Sequence, residues 1–497
     1  MQTKTEKDQF EDYLHDASNM HGGTAEQLFV PENEAEVSEV MGKAFDRSVA
    51  VTVSGARTGT VGGAVPFGGW ILSLEKLTKL QIDVDSMTAT VGAGVLLTDL
   101  QKEVDAKGLF YPPDPTEWSC QIGGNVATDA SGARSFKYGS TRDYVKALKV
   151  VLADGDTVAL RRGKAFASDG SLTLLTERGN KIHAKLPTYK PRNVRKDTSG
   201  FFVSESPDAL DVFIGSEGLL GVITEIELSL LKKPEDQFSG IVFFDSEPDL
   251  LAFVNAAREL SDTNRSGGSA SGVIDASLIE YFDRNALDFI RGKFPETPEG
   301  KAGAIYFEQE TSSENEDAVM EAWNALLEQH RSDMDGSWFA VSEADEKRMR
   351  EFRHALPVAV NEKIVKFAQR KVGTDMAVPD EKFPSFLNFY NKILSESGLD
   401  HVIFGHIGDN HLHANIIPKN EEEAVAARHI YGRCVAQALM AGGTVSAEHG
   451  IGKLKSKYLY VMYGERFIHE MAELKKSFDV KNILNRGNMF DEKFLVV

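Results

Sequence analysis

Fifteen residues, His401 to Asn415, hold four of the chain's twelve histidines, in the run HVIFGHIGDNHLHAN. Neutral imidazole is a common metal ligand, and residues two apart on an extended strand share a face. His411 and His413 would therefore point the same way, and His406, on the preceding glycine turn, could fold back beside them. A surface strand that happens to be rich in histidine would give the same run. A second stretch, TVSAEHGIG from Thr444 to Gly452, offers Glu448 and His449, an oxygen ligand beside a titratable imidazole. Neighbours on a strand face opposite ways, so these two need not share a job. Arg353, in FRHALP, could hold a carboxylate through two parallel N–H···O bonds. A lone arginine on an amphipathic helix is, however, ordinarily a surface residue.

These side chains need elements to place them. The histidine run begins as a buried strand, His401–Phe404, turns at Gly405 and Gly408, and resumes as a strand. The Glu-His pair follows a helix over 421–441 that ends at Gly442-Gly443. Before them, helices are expected over 248–259, 314–331 and 344–361, alternating with strands at 240–244 and 304–309. Phe383, Phe386, Tyr390 and Ile393 sit at helical spacing, with Gly398 as a stop. A sheet covered by helices on one face is the expected form of this half. A Gly/Ser loop is expected at Ser266-Gly267-Gly268-Ser269.

The first half is punctuated by glycine. Asn33 can cap a helix running to about Asp46, and a strand at 49–53 follows. Then Ser54–Gly63 packs four glycines and three hydroxyls into ten residues. Such a loop can bare backbone N–H groups toward an anion, as a phosphate-binding nest does. A second glycine cluster runs from Tyr111 to Gly139, and a third from Phe213 to Ile223 leads into a strand. Three glycine loops, each against a strand, suit a long ligand with a pyrophosphate. No G-x-G-x-x-G is present, which argues against a Rossmann site. The stretch 156–211 is basic, with Arg161, Arg162, Lys185, Lys190, Arg192, Arg195 and Lys196. A solvated excursion is the ordinary explanation, and a face for an acidic redox partner the alternative.

Composition narrows the field. With 497 residues and a net charge of −20, the chain lacks the basic surface of a nucleic-acid binder. Two cysteines, Cys120 and Cys434, cannot hold a cysteine-ligated iron–sulfur cluster or a disulfide framework. The N-terminal run has no apolar core, and no stretch is long enough for a membrane span. A cytoplasmic setting is expected.

The segments SGARTGTVGGAVP, PPDP…IGGNVATDASGARSFKYGSTRDYVKALKVVLADG and FIGSEGLLGVITEIELSLL resemble the PCMH-type FAD-binding domain of the vanillyl-alcohol-oxidase superfamily. By that resemblance Ser54, Gly55, Ala56, Arg57, Thr58, Gly59 and Gly62 hold the pyrophosphate. Pro113, Gly123, Gly124, Asn125, Thr128, Gly132, Tyr138 and Gly139 wrap the ribityl and isoalloxazine, and Glu217, Gly221 and Ile223 touch the adenine half. Ser54 stands where many members have arginine, and Arg57 where glycine or asparagine is common. The loop lacks the histidine that covalent flavin often uses, so the FAD is expected to be non-covalent.

GHIGDNHLHAN and SAEHGIGKLK, with FRHALP, VGTDMAVP and FDVKNILNRGNMF, resemble the FAD-linked D-2-hydroxyacid dehydrogenases acting on D-lactate, D-2-hydroxyglutarate or glycolate. The resemblance implies an α+β fold: a two-part FAD domain and an α+β cap with an antiparallel sheet flanked by helices. It implies a helical segment at 1–24, the FAD domain at 25–232, the substrate domain at 233–440, and a returning segment at 441–497. His406, His413 and Glu448 would ligate a divalent metal, zinc by preference. His449 would be the base, Arg353 would hold the substrate carboxylate, Asn415 would lie near substrate or flavin, and Asn485 would return to the flavin. His411 occupies a slot where the family usually has asparagine. Pro357, one turn after Arg353, and Lys371, set back from the Thr374-Asp375 pair, lean the expectation toward D-lactate or a similar small monocarboxylate. Electrons would leave to an external acceptor such as an electron-transfer flavoprotein, a cytochrome or a quinone. A homodimer and a non-redox flavin transferase resembling alkyl-dihydroxyacetone-phosphate synthase are alternatives to weigh.

Overall fold

The computed structural model describes residues 1–267 and 273–495. The far half of the expected Gly/Ser loop, Gly268-Ser269, lies outside them. Asn33 caps the helix Glu34–Arg47 as expected, its side chain accepting the Glu36 N–H at 3.0 Å. That helix buries Val37, Val40, Met41 and Ala44, a 3–4 spacing that faces one way.

A four-stranded sheet runs in the order Gln2–Lys4, Gln27–Val30, Trp70–Ser73, Val51–Ser54, with the last three parallel. The first residues are not an α-helix. Gln2–Lys4 is an edge strand, and two 3-10 turns, Lys7–Gln9 and Glu11–Leu14, follow it. Phe10, Tyr13 and Leu14 then bury against Leu28, Val30 and Ile71, too few apolar positions to fill a helical stripe.

A five-stranded antiparallel sheet follows, in the order Leu80–Asp83, Thr88–Gly92, Val222–Ser229, Val145–Val151, Thr157–Arg161. Its central strand comes last in the chain, so the third glycine loop is delivered beside the first two.

The second half is built on a seven-stranded antiparallel sheet. Its order is Asp333–Phe339, Asp236–Phe244, Gly303–Thr311, Leu278–Asp283, His401–Gly405, His413–Ile416, Val372–Gly373. Helices cover both faces, not one. Val242 and Phe244 join the core under Glu247–Arg265 and Glu316–Gln329, while Ile241 and Phe243 join one under Arg284–Ile290 and Glu343–Lys366. The unbroken apolar run Ile241–Phe244 requires this, because strands buried on both faces read as continuous rather than alternating.

The basic stretch also departs from expectation. After the hairpin Ser171–Leu175/Lys181–Lys185, residues 186–204 fold back on the protein, with Thr188, Lys190, Asn193 and Asp197 exposed but Leu186, Tyr189, Lys196, Ser199 and Phe201 buried. Tyr189 packs on Tyr463 at 4.2 Å between ring centres, and Thr198 N–H donates to the Ser446 carbonyl at 2.9 Å. This loop therefore carries Lys196 into the interior.

Candidate active site: a histidine–carboxylate cluster against a glycine-lined cavity

Strand pairing gathers the cluster. The strands His401–Gly405 and His413–Ile416 pair with Phe404 opposite His413, so the turn between them sets His406, His411 and His413 on one side. His413 Nδ1 donates to the Thr374 carbonyl at 2.9 Å, and His406 Nδ1 to Glu280 Oε1 at 2.6 Å. Both rings then offer the lone pair of Nε2. Each Nε2 faces Glu448 Oε1, at 3.3 Å from His406 and 3.1 Å from His413. His411 stacks edge-on to His413, with ring centres 4.5 Å apart. Its Nε2 lies 3.0 Å from Asp375 Oδ1 and its Nδ1 3.9 Å from Glu448 Oε2, yet neither buried nitrogen makes a directed hydrogen bond.

The charges explain why this arrangement suits a cation. Burial works against a charged His406, but Glu280 and Glu448 outweigh it and raise the imidazole to about 9. Its place favours positive charge, whether a proton or a metal ion. Burial also opposes ionisation of Glu448, yet Lys196, His406 and His411 hold its carboxyl well below the usual range. One ligand atom each from His406, His411, His413 and Glu448 lies within 4.8 Å of the rest. A four-coordinate zinc about 2.1 Å from its ligands spaces them about 3.5 Å apart. The donor set, the fixed Nε2 lone pairs and the unpartnered His411 nitrogens fit a divalent metal.

His449 sits beside this cluster. Its ring stacks on His413 with centres 5.2 Å apart, and its Nε2 lies 3.6 Å from Glu448 Oε1. Asp375 shapes the whole turn. Its buried carboxylate accepts the backbone N–H groups of Glu448 and His449, each at 3.2 Å, and the Ser446 hydroxyl at 2.7 Å, and pairs with Lys455. Its Oδ2 lies 3.4 Å from His449 Nδ1. Burial pushes the His449 imidazole down to about 4, against Asp375 and Glu448. The side chain keeps 37% of its surface open toward the cavity, so water there relieves part of that depression and leaves the ring neutral near pH 7.

His449 also forms part of the wall of a cavity of about 1030 Å³, a volume that includes open solvent at its mouth. Gly55, Ala56, Arg57, Thr58 and Gly59 line it, with Gly123, Gly124, Asn125, Thr128, Glu217, Gly221, Ile223 and Asn485. Asp16 Oδ2, Gln121 Oε1 and Asn125 Nδ2 are buried on this wall without partners. A Cβ placed on Gly59 or Gly124 meets nothing within 4 Å. These observations fit a large polar ligand such as FAD.

Six expected cofactor positions, Ser54, Gly62, Pro113, Gly132, Tyr138 and Gly139, lie off the lining. Ser54 is fully buried at its strand end, and Tyr138 donates its hydroxyl to Glu310 at 2.6 Å. Gly132, at φ +134°, has no room for a Cβ against the Asp114 carbonyl, so the loop requires glycine there. Glu217, expected at the adenine half, uses its carboxylate to accept the N–H groups of Ile451 and Gly452 at 2.6 and 2.7 Å. It clamps the loop that follows His449.

The remaining expected residues are spread out. Arg353 turns inward from the helix Glu343–Lys366 to pair with Glu280 at 3.1 Å. Pro357 lies within that helix and has no N–H to give the Arg353 carbonyl four residues back. Asn415 is buried in its strand, opposite Val402 and Gly373, and donates to the His413 carbonyl at 3.1 Å. Lys196 and Glu280 escaped the sequence reading. Lys196 reaches Glu448 Oε2 at 2.6 Å, and nothing local distinguishes it from its basic neighbours. Glu280 does leave a trace, since it is the one charge within the apolar run Leu278-Ile279-Glu280-Tyr281-Phe282, and a buried charge needs partners.

The chain matches a family model described as "FAD binding domain" over residues 25–161 and one described as "FAD linked oxidases, C-terminal domain" over residues 249–489. It is 30% identical over 502 residues to a D-lactate dehydrogenase of Anaerostipes hadrus, covering 96% of this chain and 92% of that protein. The chain belongs to the FAD-linked D-2-hydroxyacid dehydrogenase family. Other members are close at hand. Glycolate oxidase subunit GlcD of Bacillus subtilis is 28% identical, over 96% of this chain and 92% of its own. A D-2-hydroxyglutarate dehydrogenase of Xanthomonas citri is 29% identical, over 99% and 94%. A solved alkyldihydroxyacetonephosphate synthase shares the fold, with a TM-score of 0.67, 16% identity, and coverage of 97% and 83%. Like its family, this chain is a FAD-dependent oxidoreductase with an α+β, PCMH-type architecture. No helix among its described residues is long and apolar enough to cross a membrane.

Proposed function

We propose that the chain oxidises a D-2-hydroxy acid, a small monocarboxylate of the D-lactate kind, to the 2-oxo acid. One observation carries this reading. His449 stands on the wall of the glycine-lined cavity and within 3.6 Å of Glu448 in the histidine cluster. FAD in the cavity would supply a hydride acceptor, and a divalent metal held by His406, His413 and Glu448, zinc by preference, would supply Lewis-acid polarisation of the 2-hydroxyl.

The chain's own residues do the rest. Asp375 steers Nδ1 of His449, which leaves Nε2 to take the hydroxyl proton. Arg353 holds the carboxylate through the guanidinium edge that Glu280 does not use. Asn485 and the loop Gly55–Gly59 hold the FAD without a covalent bond. An external acceptor, an electron-transfer flavoprotein, cytochrome or quinone, would take up the electrons.

The test is anaerobic bleaching of the flavin by a panel of D- and L-2-hydroxy acids, with and without a chelator. Rapid bleaching by D-lactate that the chelator slows is the expected result. Faster bleaching by D-2-hydroxyglutarate or glycolate would reassign the substrate. Bleaching indifferent to the chelator would remove the metal, and no bleaching by any D-acid would favour a non-redox transferase.

A further inference from the structure

Glu280 occupies the middle of the strand Leu278–Asp283, every residue of which is buried. A carboxylate there is costly unless both oxygens are satisfied. Each is used once, by a different half of the site. Oε1 accepts the Nδ1–H of His406 at 2.6 Å, and Oε2 accepts the Nε–H of Arg353 at 3.1 Å. The residue opposite on the neighbouring strand, Tyr306, is turned to Glu308 and takes no share of Glu280.

We propose that Glu280 is a positioning residue that sets the metal ligand His406 and the carboxylate anchor Arg353 together, from one side chain. This rests on the ligand and anchor roles given above. By holding the proton on Nδ1, it leaves His406 Nε2 as the lone pair aimed at the cluster, 3.3 Å from Glu448 Oε1. By holding Nε, it fixes the plane of the guanidinium and leaves Nη1, with Nη2 in only a 3.5 Å contact to Thr116 Oγ1, for a substrate. A carboxylate is required because both partners donate. An amide of the same shape has one acceptor and one donor, and it can serve His406 or Arg353 but not both.

Glu280→Gln is therefore the informative substitution, because it keeps volume and chain length. Zinc affinity of the flavin-loaded, metal-stripped protein is measured by competition with a chromophoric chelator, and steady-state kinetics with D-lactate are run at saturating zinc. The expected result is zinc binding weakened about 10–100-fold, as for loss of a carboxylate behind a ligating histidine. KM should rise by about tenfold with a smaller change in kcat, and flavin content should hold at the wild-type level. A folded, flavin-loaded variant with wild-type zinc affinity or wild-type KM overturns the joint role. If E280Q does not accumulate, Glu280→Asp asks the same question. Its carboxylate is drawn back by one methylene and should shift both quantities the same way by less. Wild-type protein that binds no zinc defeats the metal reading and this inference with it, an outcome seen in the parent rather than the variant.

Discussion

Lys196 puts a cation beside a candidate metal cluster, and its geometry explains why it is tolerated. It holds Glu448 by Oε2, while the two histidines face Oε1. The carboxylate is thus turned to present one oxygen to the cluster. With side-chain exposures of 5% and 11%, the pair is buried, and breaking such a pair typically costs about 3–5 kcal/mol because one charge is stranded. Lys196→Met should lower the melting temperature of metal-free protein, with a smaller loss when zinc is added, since the metal takes over the charge on Glu448. An equal loss in both states would show that the lysine only packs. His449 permits a different test. His449→Asn should cut turnover by about 10²–10⁴-fold, the usual share of a general base, with the flavin absorbance spectrum and its intensity unchanged. Unaltered turnover would end the base assignment.

Elements carry these residues, and one of them carries a titration of its own. Asp283 caps the helix Arg284–Ile290, accepting the Ala286 N–H at 2.7 Å. Burial pushes its carboxyl up to about 7, from an unfolded value of roughly 3.9. Between those limits the folded chain binds a proton that the unfolded chain has released. Stability on this account falls as pH rises from about 4 to about 7 and is flat on either side. Asp283→Asn keeps an acceptor for the cap and titrates nowhere in that window, so melts from pH 4 to 8 should lose up to about 4 kcal/mol of slope. A slope identical to wild type would refute the raised value.

Strand and helix positions of this kind were largely legible beforehand. Asn33, the glycine loops and the histidine turn all have local signals, and a period of two or 3.6 survives without knowledge of the partner. The second covered face of the seven-stranded sheet has its signal in the unbroken apolar run Ile241–Phe244, which the strand–helix alternation of its neighbours does not share. The N-terminal edge strand was misread because its polar residues carry no period at all.

The molecule as a whole is held by pairings that no local pattern can announce. Lys196 and Glu448 are 252 residues apart, and Val53 and Asn485 are 432 apart. Asn485 accepts the Val53 N–H at 2.8 Å and donates to the Glu217 carbonyl at 2.7 Å, which ties the first glycine loop's strand to the third loop. Asn485→Ala leaves the Val53 N–H unpaired and the Glu217 carbonyl with only the longer 3.3 Å donation from Asn488, a loss of about 1–3 kcal/mol. It should shed flavin during gel filtration and melt earlier than wild type. Full flavin retention would show that the loops keep their places unaided. The same tie has a consequence for how the protein is made. Ribosomes add about 5–20 residues per second, so the strand at Val51–Ser54 waits on the order of half a minute or more for Asn485 to exist. The nascent chain can fold its first sheet early, but the strand and the third glycine loop are tied together only once Asn485 has been made.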